Sequence, residues 1–150
     1  MALFNLFKSE GINPGIVGGH SLGEFAALVT AGVLNFEDGL KVVITRGKAM
    51  SETPPGVQCT MAAIFTSSEM VEKTLKELSA KNVSISNYNS TSQTVISGEV
   101  SAVESVVSAF SEKGTRAIKL NVSTAFHSKY VAHAEEKLKK FLKSIKFEIF

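Results

Sequence analysis

Gly19-x-Ser21-x-Gly23, set between an apolar segment and an amphipathic one, constrains this chain more than any other stretch. Ile16 and Val17 read as the end of a short buried strand. Leu22, Phe25, Ala26, Leu28 and Val29 read as a helix that Gly32 closes. The serine therefore stands where a strand turns sharply into a helix, which is the setting of a nucleophile elbow. Glycines two before and two after it let neighbouring backbone pass close to a strained turn. The hydroxyl is presented at a helix N-terminus, whose N–H groups and dipole favour developing negative charge. Serine is also a preferred N-cap. The intact strand-and-helix flanks favour the nucleophile.

The 150 residues suit one ordinary domain, long enough to bury roughly two thirds of its unfolded surface. A formal net charge of +2, with no Lys/Arg block interleaved with aromatics, gives no footprint for nucleic acid. The single cysteine, Cys59, excludes an internal disulfide and a cysteine metal cluster, and no metal site is expected. No apolar run approaches the ~18 residues of a membrane span. The first residues carry their charge, Lys8, after the apolar run, the reverse of a secretory signal. The expected compartment is the cytoplasm.

Ahead of the elbow, residues 2–10 have the face of an amphipathic helix, with Leu3, Leu6 and Phe7 together. After it, Asn35 reads as the N-cap of a helix with Glu37 and Asp38 in its first turn. Leu40, Val43, Ile44, Gly47 and Met50 form the expected apolar stripe of that helix. Arg46 borders the stripe, about 40° from Met50 at ~100° per residue. Thr53-Pro54-Pro55-Gly56 marks a boundary. Beyond it, strands are expected over 61–65, 83–87, 93–97 and 116–120, and helices over 68–80 and 100–113. That order, β-α-β-β-α-β with short connections, is the signature of a ferredoxin-like unit. The tail opens with a polar loop, Val122-Ser123-Thr124-Ala125-Phe126-His127-Ser128. A helix is expected from about Lys129 to Lys143, with Glu135/Lys139 and Glu136/Lys140 pairs, and then a strand alternating Ile145, Phe147 and Ile149.

A serine nucleophile needs a base, and the candidates are His20, His127 and His133. His20 adjoins the serine in the turn, and its side chain leaves on a different side. His133 lies within the tail helix. His127 stands in a loop free to reach a cleft, although a histidine hydrogen-bonded near a helix start is an equally ordinary reading of it alone. The acid of a triad is not obvious. Asp38 is better explained as a first-turn helix acid, and Glu99 is the least poor glutamate. A Ser-His dyad oriented by backbone carbonyl fits better. Arg46 differs from Lys41 and Lys48, which read as solvated. A planar guanidinium beside the elbow helix suits a substrate carboxylate with two hydrogen bonds.

Four motifs now stand in order: Gly19-His20-Ser21-Leu22-Gly23-Glu24, then Thr45-Arg46-Gly47-Lys48-Ala49-Met50, then Asn87-Tyr88-Asn89-Ser90 with Gln93-x-Val95-Ile96-Ser97-Gly98, then Ala125-Phe126-His127-Ser128. Together they resemble malonyl-CoA:acyl carrier protein transacylases, with the closest likeness to the acyltransferase domains of polyketide synthases. The resemblance covers nearly the whole chain. It implies an α/β fold: a partial α/β-hydrolase-like large subdomain (1–57 and 122–150) with an inserted ferredoxin-like small subdomain (58–121).

The resemblance also implies roles. Ser21 takes the acyl group from coenzyme A as an ester, and His127 removes and returns the proton. The Leu22 N–H contributes to the oxyanion hole, and Arg46 pairs with the malonyl carboxylate. His20 and Phe126 fall on the substrate side. Phe126 fits the malonyl-type Ala-Phe-His pattern, in which a phenyl ring fills the room a branched methyl needs, while Thr124 stands where a histidine is common. The implied substrate is malonyl-CoA with no bound cofactor, and the partner is an acyl carrier protein, in polyketide or fatty acid synthesis. A Gly-Gln-Gly segment giving a second oxyanion donor is expected before Met1, and further strands after Phe150, so the chain alone is expected to be nearly inactive. Two other readings remain. One is a serine acyl hydrolase or thioesterase, against which Arg46 and the inserted unit speak. The other is an inactive docking fragment.

Overall fold

Helices dominate both ends of the chain and a sheet occupies its middle, giving a mixed α/β fold. The computed structural model describes residues 1–52, 56–122 and 124–148. Thr53, Pro54 and Pro55 of the expected boundary, and Ser123 and Ile149, lie outside the described residues. The chain divides into two compact units, Met1–Ala49 with Glu135–Phe150, and Met50–Ala134.

The first unit holds α1 (Ala2–Ser9), α2 (Leu22–Thr30), α3 (Phe36–Ser51, into its last turn) and α6 (Ala134–Leu142, from its second residue). α2 stops where Gly32 takes φ +76°, a left-handed conformation that glycine adopts without penalty. α3 starts as the sequence requires. The Asn35 side-chain oxygen accepts the Asp38 N–H at 2.8 Å, and the Asn35 amide donates to the Asp38 carboxylate at 2.7 Å. Lys41 adds an ion pair at 3.0 Å. The Asn35 bond first, then Lys41, hold the Asp38 carboxyl below its usual value. The stability this gives is present above the ordinary carboxylate range and lost as pH falls through the lowered value. Asp38 is thus a capping acid.

Three expectations for the two ends of the chain are corrected. The Ile16–Val17 segment is not a buried strand: no ladder forms there, and Ile16 is 93% exposed. A strand is held by the backbone of its neighbours, and none runs beside this segment among the described residues. The expected strand after α6 is likewise absent over 145–148, where the Glu148 N–H makes one bond, to the Val33 carbonyl. The tail helix is the third. A 3-10 turn at Lys129–Val131 precedes α6, and the turn is capped by the Ser128 hydroxyl, which accepts the Tyr130 N–H. On α6 it is Glu136 and Lys139 that pair, at 3.9 Å, rather than residues four apart.

The second unit follows the expected element order: β1 (Cys59–Ile64), α4 (Ser68–Glu77), β2 (Val83–Ser90), β3 (Gln93–Glu99), α5 (Val100–Glu112) and β4 (Ala117–Lys119). The strands are antiparallel in spatial order β2-β3-β1-β4. Period-two alternation divides β1 between two apolar layers. Ala62 and Ile64 join Ile96, Val71, Val103, Val106 and Phe110 under the helices. Met61, Ala63 and Val95 face the other way, where Phe65, Leu120, Val122 and Phe126 cover them. The central strands β1 and β3 are buried on both faces, and the segment covering the second face leads directly into His127. Phe110, 1% exposed, is the largest fully buried side chain. Phe110→Ala should cost about 3–5 kcal/mol of stability, read as a lower denaturant midpoint for the unit.

Candidate active site

Ser21 occupies the N-cap position of α2 with φ 53° and ψ −108°, a backbone conformation that a side-chain-bearing residue adopts at a cost of about 1–3 kcal/mol. Its side chain makes no capping hydrogen bond. The helix-cap reading of this serine therefore fails. The turn is closed by the Gly23 N–H donating to the His20 carbonyl at 2.9 Å and the Glu24 N–H donating to the Ser21 carbonyl at 3.3 Å. A Cβ on Gly19 would fall on the Gly23 carbonyl group and the Glu24 nitrogen, so the first glycine of the motif is required by close backbone approach. His20 is exposed in the same turn. Leu22 is the first helical residue, so its N–H has no carbonyl four residues back within the helix, as an oxyanion donor requires. Its side chain lines an apolar groove with Phe25, Val29, Leu40 and Val43.

Arg46 reaches this serine from α3: its Nη2 donates to Ser21 Oγ at 2.9 Å. The expected stripe of α3 is displaced. Leu40 and Ile44 are about half exposed, at 50% and 47%, whereas Val42 and Ala49 are buried, with Met50 the one shared position. Arg46 lies four after Val42 and three before Ala49, within the buried row itself, and is half-buried. Val42, Val43 and Ile44 are consecutive apolar residues, so periodicity does not select a face. The packing does.

His127 belongs to the second unit. It is exposed, with φ 56°, so Ser21 and His127 are two of four non-glycine residues at positive φ among those described. Its loop is pinned on either side. The Ser97 hydroxyl donates to the Phe126 carbonyl at 2.8 Å, and the Ser128 hydroxyl donates to the Ala125 carbonyl at 2.6 Å. Farther along, the Tyr130 hydroxyl donates to the Glu99 carboxylate at 3.0 Å. Glu99 is therefore engaged with a tyrosine. Burial first, then the Glu99 carboxylate, push the Tyr130 phenol up to about 12. The raised value means that the folded state favours the protonated phenol. The stabilisation is full below the ordinary tyrosine value and should disappear as pH rises towards 12, seen as a late phenolate absorbance step coincident with alkaline unfolding.

Phe126 packs its ring against the Met61, Ala63 and Val95 layer. Thr124 is 2% exposed, and its hydroxyl has no hydrogen-bond partner among the described residues. His133 is exposed in the turn before α6, ahead of the helix in which the sequence places it. Ser97, Ser128 and Tyr130 are absent from the sequence-derived site. For Ser97 the signal is a hydroxyl in an otherwise apolar stretch, Val95-Ile96-Ser97. The first unit by itself brings Ser21, Leu22 and Arg46 together, while Phe126 and His127 are held by the second. Among the described residues no group of three or more His, Cys, Asp or Glu lies together as a metal site. No helix is long and apolar enough to cross a membrane among the described residues.

Residues 1–149 match the family described as the acyl transferase domain. The malonyl CoA-acyl carrier protein transacylase of Bacillus subtilis (strain 168) is 41% identical over 149 residues, which covers 95% of this chain and 46% of that protein. The crystal structure of the malonyl CoA-acyl carrier protein transacylase from Clostridium perfringens matches with a TM-score of 0.88 at 39% identity, over 99% of this chain and 48% of that one. A malonyl-transacylase solved in complex with a type II polyketide synthase acyl-carrier protein matches with a TM-score of 0.88 at 36% identity, over 98% and 49% of the two chains. The chain spans about half the length of the relatives it matches.

Proposed function

The chain belongs to the acyl transferase domain family, and from that premise we propose that it carries the nucleophile of a malonyl-CoA:acyl carrier protein transacylase. The observation that carries the proposal is the 2.9 Å bond between Arg46 and Ser21, within one unit. It sets a fixed positive charge beside the reacting oxygen, within reach of a carboxylate at the far end of a short acyl group.

In the first half-reaction Ser21 Oγ bonds to the thioester carbonyl carbon, and its proton passes to His127. The Leu22 N–H receives the oxyanion, and the C–S bond breaks with return of the proton to the coenzyme A thiolate. In the second, the carrier protein thiol attacks the ester, and His127 takes the thiol proton and delivers it to the departing serine oxygen. Arg46 holds the malonyl carboxylate through both. His20 and the Phe126 ring bound the acyl site, Phe126 filling the space that a branched extender unit would need. The first unit is read as part of an α/β-hydrolase-like large subdomain. The β-α-β-β-α-β unit over 58–121 is read as a ferredoxin-like insertion, supported by the β2-β3-β1-β4 strand order. The reaction serves polyketide or fatty acid synthesis in the cytoplasm.

A hydrolase or thioesterase would share the elbow and the histidine. It would have no use for a guanidinium on its nucleophile, and Arg46 favours transfer of a carboxylated acyl group. Labelled malonyl-CoA distinguishes the readings. Label should appear as an ester on Ser21 and move to added carrier protein. Free malonate as the only product would indicate the hydrolase, and no ester at Ser21 under single-turnover conditions would indicate the docking fragment.

A further inference from the structure

Arg46 is hydrogen-bonded to the very oxygen that must attack, although its proposed duty is to the substrate's carboxylate. Guanidinium remains charged at every physiological pH, so its bond to Ser21 Oγ is charge-assisted and draws electron density from the nucleophile. The serine spends no hydrogen bond on capping α2. A carboxylate is a stronger acceptor than a hydroxyl, because both partners are then charged and two parallel N–H bonds form. We infer that Arg46 caps Ser21 in the resting protein and that the carboxylate of the incoming acyl group draws it away, so that Arg46 selects substrate at the nucleophile as well as by binding. An acyl group without a carboxylate leaves Arg46 on the serine and meets a subdued nucleophile. This inference rests on the assignment of Arg46 to the substrate carboxylate.

A fluorophosphonate tests it on the 150-residue chain, because the reagent reports serine reactivity without itself carrying a carboxylate. Ser21 Oγ bonds to phosphorus, fluoride leaves, and the hydroxyl proton goes to the base. Modification of the Ser21 peptide is followed by mass spectrometry, with Ser21→Ala as the blank. Arg46→Met should label about tenfold faster than the native chain, the change that about 1.36 kcal/mol of barrier produces. Acetate, titrated at constant ionic strength against chloride, should accelerate the native chain saturably and leave Arg46→Met unchanged. The acetate arm needs no variant, so it stands even if Arg46→Met does not fold. Equal or slower labelling of Arg46→Met, or no labelling of either protein, overturns the inference. The Arg46 side-chain N–H resonance separates the two levels of failure. If acetate shifts that resonance without changing the labelling rate, the capping is overturned and the carboxylate assignment stands. If acetate does not shift it, the carboxylate assignment falls, and the uncapping falls with it.

Discussion

Ser21→Ala should eliminate the acyl ester and lower any transacylation by at least about 10⁴-fold, the scale on which loss of a covalent nucleophile acts when its surroundings persist. The substitution removes the acceptor of the Arg46 bond but no helix cap. Ser21 makes no capping bond to α2, so its removal takes away no support for the helix. Alanine must still adopt φ 53°, as serine does, and the Gly19–Gly23 approach that shapes the turn is untouched. Circular dichroism and the denaturant midpoint should therefore stay close to the native values while intact-mass analysis shows no malonyl adduct. A variant that still accumulates ester on another residue would remove Ser21 from the nucleophile's role.

Arg46→Ala should lower malonyl loading by about 10²–10³-fold, while acetyl loading, which needs no guanidinium and meets an uncapped serine, should not fall by comparison. Truncating one partner of a hydrogen-bonded charge pair costs about 2–5 kcal/mol, much of it from leaving the other charge unpaired, and each 1.36 kcal/mol is a factor of ten. Arg46 sits in the buried row of α3, between Val42 and Ala49, so some stability is lost as well. The ratio of the two acyl groups cancels that common loss, and the comparison is to be made on kcat/KM. Equal losses for malonyl and acetyl groups would show that Arg46 supports the fold and does not read the carboxylate.

The two units differed in how much their sequences disclosed. In the second, the short apolar run Met61–Ile64 and helical periodicity through Val103, Val106 and Phe110 are local properties, and each element formed close to its expected bounds. The sheet there is complete enough that every strand has a neighbour. In the first, Ile16 and Val17 carry strand-forming side chains, but propensity cannot supply the backbone partners that make a strand. The tail helix broke for a local reason of another kind. Ser128 offers its hydroxyl to the Tyr130 N–H, and this short-range bond stabilises a 3-10 turn in place of the first α-helical turn.

The site shows the same division. Gly19, Ser21 and Gly23 announced the elbow because the turn's demands, a close backbone approach and a positive φ at the serine, act within five residues. His127 was legible as a loop residue, yet its strained φ and the Ser97 and Ser128 hydroxyls that pin its loop are products of packing against β3 and the following turn. Sequence by itself determined the tight turn at Ser21, the order of elements in the second unit and the residue types available for chemistry, because these depend on neighbours along the chain. Only the tertiary structure decided which face of α3 is buried. The run Val42-Val43-Ile44 spreads apolar side chains over about 200° of the helix at ~100° per residue, and packing between elements far apart in sequence chose the row that holds Arg46 and brought it to Ser21 Oγ.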